Sequence, residues 1–432
     1  MTLRDQRSHP DLLKPAGPNL GVAPPRGAEP PRRGMFSSLR HPPFRSYLIG
    51  LFLSNIGSWM QTVAQGWLVF RLSDSALVLG MVTFAGSIPT LLLAPLAGVA
   101  ADRFDRRKLL VVTQTIQMAT AFFLAFATAR GFVSVHLVAA LAFINGIANA
   151  YTTPSHQSLF IDLVGRDDLM NAISLNSMQF NLSRIIGPVI AGFTIAGLGE
   201  TGCFLLNGVS FLPFLIAILR LPSLTARRRK PRGSWVELRI GLRFARRDAV
   251  LPPLLLLCAS LAVFGTPAVT LAPLYARRLF DVGPKGLGGM LCAVGVGAVA
   301  TALALARKGD FADKGRALLV AASAFAVSVA ALAVAPSYAV ALAALALLGG
   351  AMMSSSSIIN TLMQTRAPDK LRGRIISLYA LAWSGFVPIG NLQAGGLAEH
   401  FGPAASLLVG GAGIAATLVL IRVFMPLPPD LS

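Results

Sequence analysis

The sequence predicts an all-α membrane protein with twelve transmembrane helices in two pseudo-symmetric six-helix bundles. Three observations predict it. The chain of 432 residues is 54% hydrophobic and 13% charged, with mean hydropathy +0.65, which is too little charge to cover the surface of a soluble protein of this size. Twelve apolar stretches can be marked, each near the ~20 residues that a spanning helix needs. The second half of the chain also repeats the first at a shift of about 203 residues.

The spans are expected at roughly 46–70, 76–99, 108–129, 133–159, 171–196, 202–220, 250–276, 286–306, 317–335, 338–363, 373–397 and 404–424. Gly (41) and Pro (28) run through them, as spanning helices tolerate and soluble ones mostly do not. Residues 1–44 are rich in Pro and Arg and lack an apolar run, so a disordered basic tail is expected there, not a cleavable signal peptide. The bundles are placed at 45–221 and 250–425. The linker at 222–249 is charged and ends in an amphipathic helix with Trp235, Leu238, Leu242 and Phe244 on its apolar side, and 426–432 is a short tail.

The repeat is carried by particular residues. Asp167 falls on Asp369, Ser174 on Ser377, Gly187 on Gly390, Gly192 on Gly395 and Gly199 on Gly402, with one single-residue indel between two registers. Duplication of a six-helix unit accounts for this pattern.

A net charge of +20 raises a nucleic-acid reading, and the distribution of that charge excludes it. Of the 38 Lys and Arg residues, 32 lie in segments on one side of the predicted spans, 5 on the other, and Arg184 lies inside a span. The positive-inside rule then puts both termini and the linker in the cytoplasm of a multi-pass protein of a bacterial inner membrane. Membrane lipids are expected partners of the basic loops. Cys203, Cys258 and Cys292 lie in apolar segments without metal-ligand spacing, so no metal or other cofactor is expected.

Charges at bilayer depth are costly and mark function. All 18 acids sit in tails, loops or helix ends, and Arg184 is the one deep charge. Uncharged polar residues form stripes at helical spacing: Asn55, Ser58, Thr62 and Gln65 in span 1, flanked by Gln61; Asn145, Asn149, Thr152 and His156 in span 4; Ser177, Asn181 and Arg184 in span 5, flanked by Asn176; and a serine run leading to Asn360 in span 10. Such stripes either bond helix to helix or line a water-filled cavity. The cavity reading makes Asn55, Gln61, Gln65, Asn145, Asn149, Asn176, Asn181, Arg184 and Asn360 the candidate substrate contacts.

Between spans 2 and 3 runs Gly98-x-x-x-Asp102-Arg103-x-x-Arg106-Arg107, a charged hairpin between two apolar stretches. It resembles the loop joining the second and third helices of the major facilitator superfamily, and the resemblance extends over 45–425. A narrower likeness, to the enterobactin-exporter-like transmembrane secretion effector branch, rests on an ordered set of stretches: Gly57–Gln61 with Trp67-Leu68-Val69, Ala150–Pro154 with Leu163-Val164, Asn171–Asn176 running to Arg184–Pro188, and Gly241–Phe244. The resemblance implies the major facilitator fold, with spans 1, 4, 7 and 10 around a central cavity. It implies that Gly98, Asp102, Arg103, Arg106 and Arg107 form a conformational latch through helix ends and lipid phosphates. It also implies that Gly187, Pro188 and Gly192 form the span-5 hinge associated with antiporters and exporters.

One expected element is missing. Where many proton-coupled drug exporters carry Arg in R-x-x-Q-G, this chain reads Ala142-Phe143-Ile144-Asn145-Gly146. Candidates for proton coupling are therefore His156 and Asp162. No nucleophile–base pair, phosphate loop or ATPase cassette is visible, so an enzyme is not expected. The expectation is a monomeric secondary transporter exporting a siderophore-like or drug-like small molecule by alternating access. A metabolite importer of the same superfamily and a non-transporting membrane sensor or scaffold are the alternatives.

Overall fold

The computed structural model describes residues 36–425 except 166, 222–233, 310, 312 and 369–370; the side chains at 94, 95, 102, 157, 158 and 234–238 are likewise not described. The tail expected at 1–44 therefore lies largely outside the described residues, as do 426–432 and part of the linker. The described end of that tail forms a 3-10 turn, Ser37–Arg40, and the first helix already begins at Pro42, before the expected boundary.

The described residues form helices joined by short turns, with no strand among them, and ten of these helices are long and apolar enough to cross a membrane. The 51-residue helix Leu169–Leu219 would measure about 75 Å if straight, far more than the ~30 Å hydrocarbon layer. It is two spans, broken at Gly199, whose φ of 67° and ψ of −174° suit glycine. The first helix, Pro42–Ser73, falls outside the ten because its polar stripe lowers its hydropathy, yet it packs along Leu169–Leu219 like the others. Twelve spans result.

Spans 1 to 4 are Pro42–Ser73, Ala76–Arg103, Arg106–Ala129 and Val135–Val164; spans 5 and 6 are the two parts of Leu169–Leu219. Span 7 is irregular, running from Leu251–Ser260 through the π turn Leu261–Gly265 to Ala272–Arg278. Spans 8, 9 and 10 are Pro284–Lys308, Lys314–Ala333 and Tyr338–Arg366; span 11 is Arg372–Ser384 continued by Val387–Phe401, and span 12 is Pro403–Phe424. Capping explains several starts. The side chains of Ser75, Asp105, Ser134 and Ser337 accept hydrogen bonds from Val78, Arg107, Leu137 and Val340 backbone nitrogens, satisfying amides that the first turn leaves free.

The sequence repeat reappears as repeated packing. Gly187 of span 5 lies against Ile56 and Trp59 of span 1, and Gly390 of span 11 against Ala262 and Val263 of span 7. Gly192 meets Pro284 and Gly288 of span 8, while Gly395 meets Ala76 and Leu77 of span 2. Gly199 and Gly402 both take positive φ where one span turns into the next. Each duplicated glycine thus does the same job in its own bundle: one lets the helix close on its own half, one on the other half, and one reverses the chain.

The linker helix Ser234–Ala245 is not free on the membrane surface. Gly241 sits against Arg374 and Leu378 of span 11, and Phe244 packs on the large core. Leu242 is exposed, and Trp235 and Leu238 have no described side chains.

Candidate functional site: a cleft between the two halves

With an even number of spans, the start of span 1 and the end of span 12 share one end of the molecule, called here the terminal end. The other is the distal end. The halves meet along two seams, span 2 on span 11 and span 5 on span 8. Several side-chain bonds join the halves at the distal end. Glu399 at the end of span 11 accepts from Ala76 N at 2.8 Å, capping span 2 from the opposite half. Arg278 at the end of span 7 donates to Asp74 O at 2.5 Å, with Asp74 Oδ2 at 3.5 Å. Lys285 of span 8 lies over the Phe193 ring of span 5 at 5.7 Å. Behind this seam, Arg71 and Glu200 form a two-pronged ion pair, 2.8 and 3.2 Å, that ties span 1 to span 6.

Span 5 fixes where Arg184 points. Ser183 and Gly187 face span 1. Ile185, Pro188 and Gly192 face span 8. Met178, Leu182 and Phe193 are exposed on one side between these two faces, and Ile173 and Phe180 on the other. At about 100° per residue, Arg184 falls on the side of Ile173 and Phe180, between the span-1 and span-8 faces and about midway along its span. Ser177 and Asn181 share that arc, with Asn181 donating to Ser177 O at 2.8 Å. The Nε and Nη2 of Arg184 are buried and donate to no acceptor among the described residues. Buried guanidinium donors without an acceptor are costly, so these two call for a partner that the described residues do not supply.

The other sequence candidates divide. Asn55 donates to Gln179 Oε1, and Gln179 donates to Asn176 Oδ1, both at 3.1 Å, which makes a polar chain from span 1 to span 5 one to two turns from Arg184. Gln61 does not face the cleft: it is buried and accepts from Asn207 of span 6 at 2.6 Å. Asn145 is turned to span 3, where Thr120 donates to it at 2.8 Å. Asn145 therefore bonds within its own bundle, the alternative that helical spacing alone leaves open, whereas Asn149 is exposed. Gln65 is partly buried on span 1, and Asn360 accepts from Gln364 at 3.0 Å within span 10.

The loop between spans 2 and 3 is held within the first half. Arg106 pairs with Asp162 at the end of span 4 at 2.8 Å, and Arg107 donates to Leu219 O, a last carbonyl of span 6, at 2.5 Å. Arg103 is exposed, Gly98 has open space around it, and the side chain of Asp102 lies outside the described residues. His156 hydrogen-bonds Tyr47 and stacks on Phe214, with Phe160 edge-on to Tyr47. His156 and Asp162 thus sit in contacts between helices of the first half, away from Arg184.

Gln179 is readable from sequence, since it lies beside the span-5 stripe; sequence reasoning missed Asn207 and Glu399. Glu399 reads as an ordinary loop acid, because nothing local shows that the opposite half supplies its partner.

The sequence profile of the transmembrane secretion effector family matches residues 33–430. The chain is 27% identical over 394 residues to the multidrug efflux pump Tap of Mycolicibacterium fortuitum, covering 89% of this chain and 96% of that one. It is 26% identical over 362 residues to the staphyloferrin A transporter of Staphylococcus aureus (strain NCTC 8325 / PS 47), covering 81% and 88%. Among solved structures, the nucleoside transporter NupG superposes with a TM-score of 0.72 at 14% identity, over 89% of this chain and 100% of that one, a likeness of fold.

Proposed function

The chain belongs to the transmembrane secretion effector family, and we propose from that premise how its cleft works. It is a secondary active transporter of the major facilitator superfamily that exports a small organic molecule by alternating access. The two bodies that move are the bundles at 45–221 and 250–425, joined by the linker at 222–249. The membrane is the bacterial inner membrane with both termini in the cytoplasm, a reading supported by the 32-to-5 charge asymmetry. In this orientation the bonded distal seam closes the outer side, and the cleft loads from the cytoplasm.

Arg184 carries the proposal on cargo. A lone cation at the bilayer centre costs about 3 kcal/mol on insertion scales, and its two buried donors lack acceptors among the described residues. A cargo with a carboxylate or catecholate-like oxygen pair would satisfy both donors in one fork. Asn181, Asn55, Gln179 and Asn176 supply further hydrogen bonds beside it. When the outer seam opens, water reaches Arg184, the bonds to cargo are exchanged for bonds to water, and release follows. Protons are the proposed coupling ion, taken up at His156 or Asp162 as span 4 shifts and their local contacts break.

Efflux from cells expressing the full chain, read against siderophores, dyes and antibiotics with and without a pH gradient, tests this. Export of at least one acidic member of the panel, slowed when the pH gradient is collapsed, is expected. Uptake in place of export, or no movement of any member, would contradict it.

A further inference from the structure

A cavity of about 730 Å³ lies inside the second half, between spans 8 and 9 with span 10 as its floor. Its wall is small and apolar, with Ala300 from span 8, Val320 and Ala324 from span 9 and Leu347 from span 10. Val320 and Leu347 are 63% and 48% exposed, so apolar surface at membrane depth is left uncovered by protein. The mouth lies at the terminal end and carries Lys308, Arg316 and Asp313.

At the loop between spans 2 and 3, Arg106 and Arg107 are used on Asp162 and Leu219 O. Lys308 and Arg316 are exposed and make no hydrogen bond or ion pair to the described residues; Lys308 rests over the Phe311 ring at 4.5 Å. An apolar slot that runs into the membrane below a net positive mouth has the chemistry of one molecule, a lipid with an anionic head.

We propose that this groove is a binding site for an anionic glycerophospholipid of the leaflet at the terminal end. An acyl chain lies between spans 8 and 9 on the floor of span 10, and the phosphate is held by Lys308 and Arg316. Asp313 accepts from headgroup hydroxyls, which favours phosphatidylglycerol over a choline head. Because span 10 is also in the cleft-forming half and packs Gly350 on Gly297 and Thr301 of span 8, the lipid braces the spacing of spans 8 and 10. The proposal rests on the chain spanning a membrane and not on which cargo it carries.

Native mass spectrometry of the purified full chain, titrated with phosphatidylglycerol, phosphatidylethanolamine or phosphatidylcholine, tests the site without any transport readout. Phosphatidylglycerol should bind best. Lys308→Gln and Arg316→Gln should each weaken it roughly fivefold, as removal of one surface cation implies. Ala300→Phe, at an exposed position on the groove wall, should weaken it by filling the slot while both cations remain. Equal binding of the three lipids would overturn the proposal, as would binding unaffected by all three substitutions. Displacement of bound phosphatidylglycerol by a dye of the efflux panel would also overturn it, showing the groove to be a cargo entrance.

Discussion

Glu399 Oε2 and the backbone nitrogen of Ala76 lie 2.8 Å apart and belong to opposite halves of the molecule. The carboxylate meets the positive end of span 2, so the contact combines a charge-assisted hydrogen bond with a helix-dipole interaction. Such a contact exists while the distal end is closed and is lost when it opens, so it biases a two-state equilibrium. Hydrogen bonds to charged groups contribute about 1.5–3 kcal/mol. Glu399→Ala is therefore expected to raise labelling of a cysteine placed at Val78 from the distal side by roughly tenfold or more. Unchanged labelling would mean that this cap does not hold the end shut.

Arg184 separates charge recognition from packing. Arg184→Lys keeps the charge and loses the planar fork, so transport should fall roughly tenfold and persist. Arg184→Gln should abolish export of acidic cargo, with membrane expression and thermal midpoint in detergent near those of the parent chain. Normal export by Arg184→Gln would remove this residue from the binding site.

Gly192 and Gly288 bring spans 5 and 8 into backbone contact: a Cβ on Gly192 would stand 2.9 Å from Pro284 O and 3.3 Å from Gly288 Cα. Overpacking typically costs about 1–3 kcal/mol. Gly192→Val should thus disfavour the distally closed state and lower export by roughly tenfold to a hundredfold, while the separate halves stay folded. Distal cysteine labelling should rise in parallel; a loss of export without that rise would place the defect elsewhere.

Much of this was legible from sequence, and the limits are physical. Span number and the repeat were readable because bilayer thickness fixes helix length and because a duplicated glycine keeps its steric duty: Gly187 and Gly390, Gly192 and Gly395, Gly199 and Gly402 perform matching roles. The polar arc of span 5 was readable too, since one deep charge and its polar neighbours share it. Asn145 and Gln61 were not, because helical spacing puts residues on one face without saying which neighbour that face meets. Thr120 and Asn207 decided it. The Ala76–Glu399 pairing, 323 residues apart, leaves no local trace at all.

The ion pair of Arg106 with Asp162 joins the loop after span 2 to the end of span 4 at 2.8 Å, with side chains 16% and 33% exposed. Partial screening limits it to about 1 kcal/mol. Arg106→Ala and Asp162→Ala should each lower the thermal midpoint in detergent slightly, and the double substitution should cost less than the two losses added. Full additivity would mean the two side chains act independently.

The central claim is that export requires the two halves to part at the distal seam. Phe193 and Lys285 face each other across it from spans 5 and 8. Phe193→Cys with Lys285→Cys, in a chain whose three native cysteines are replaced by alanine, can be bridged by a short, reducible thiol cross-linker. Efflux from cells is then measured before bridging, after bridging and after reduction. Alternating access predicts export that stops on bridging and returns on reduction. Export that continues at the unbridged rate with the seam fully cross-linked would contradict it.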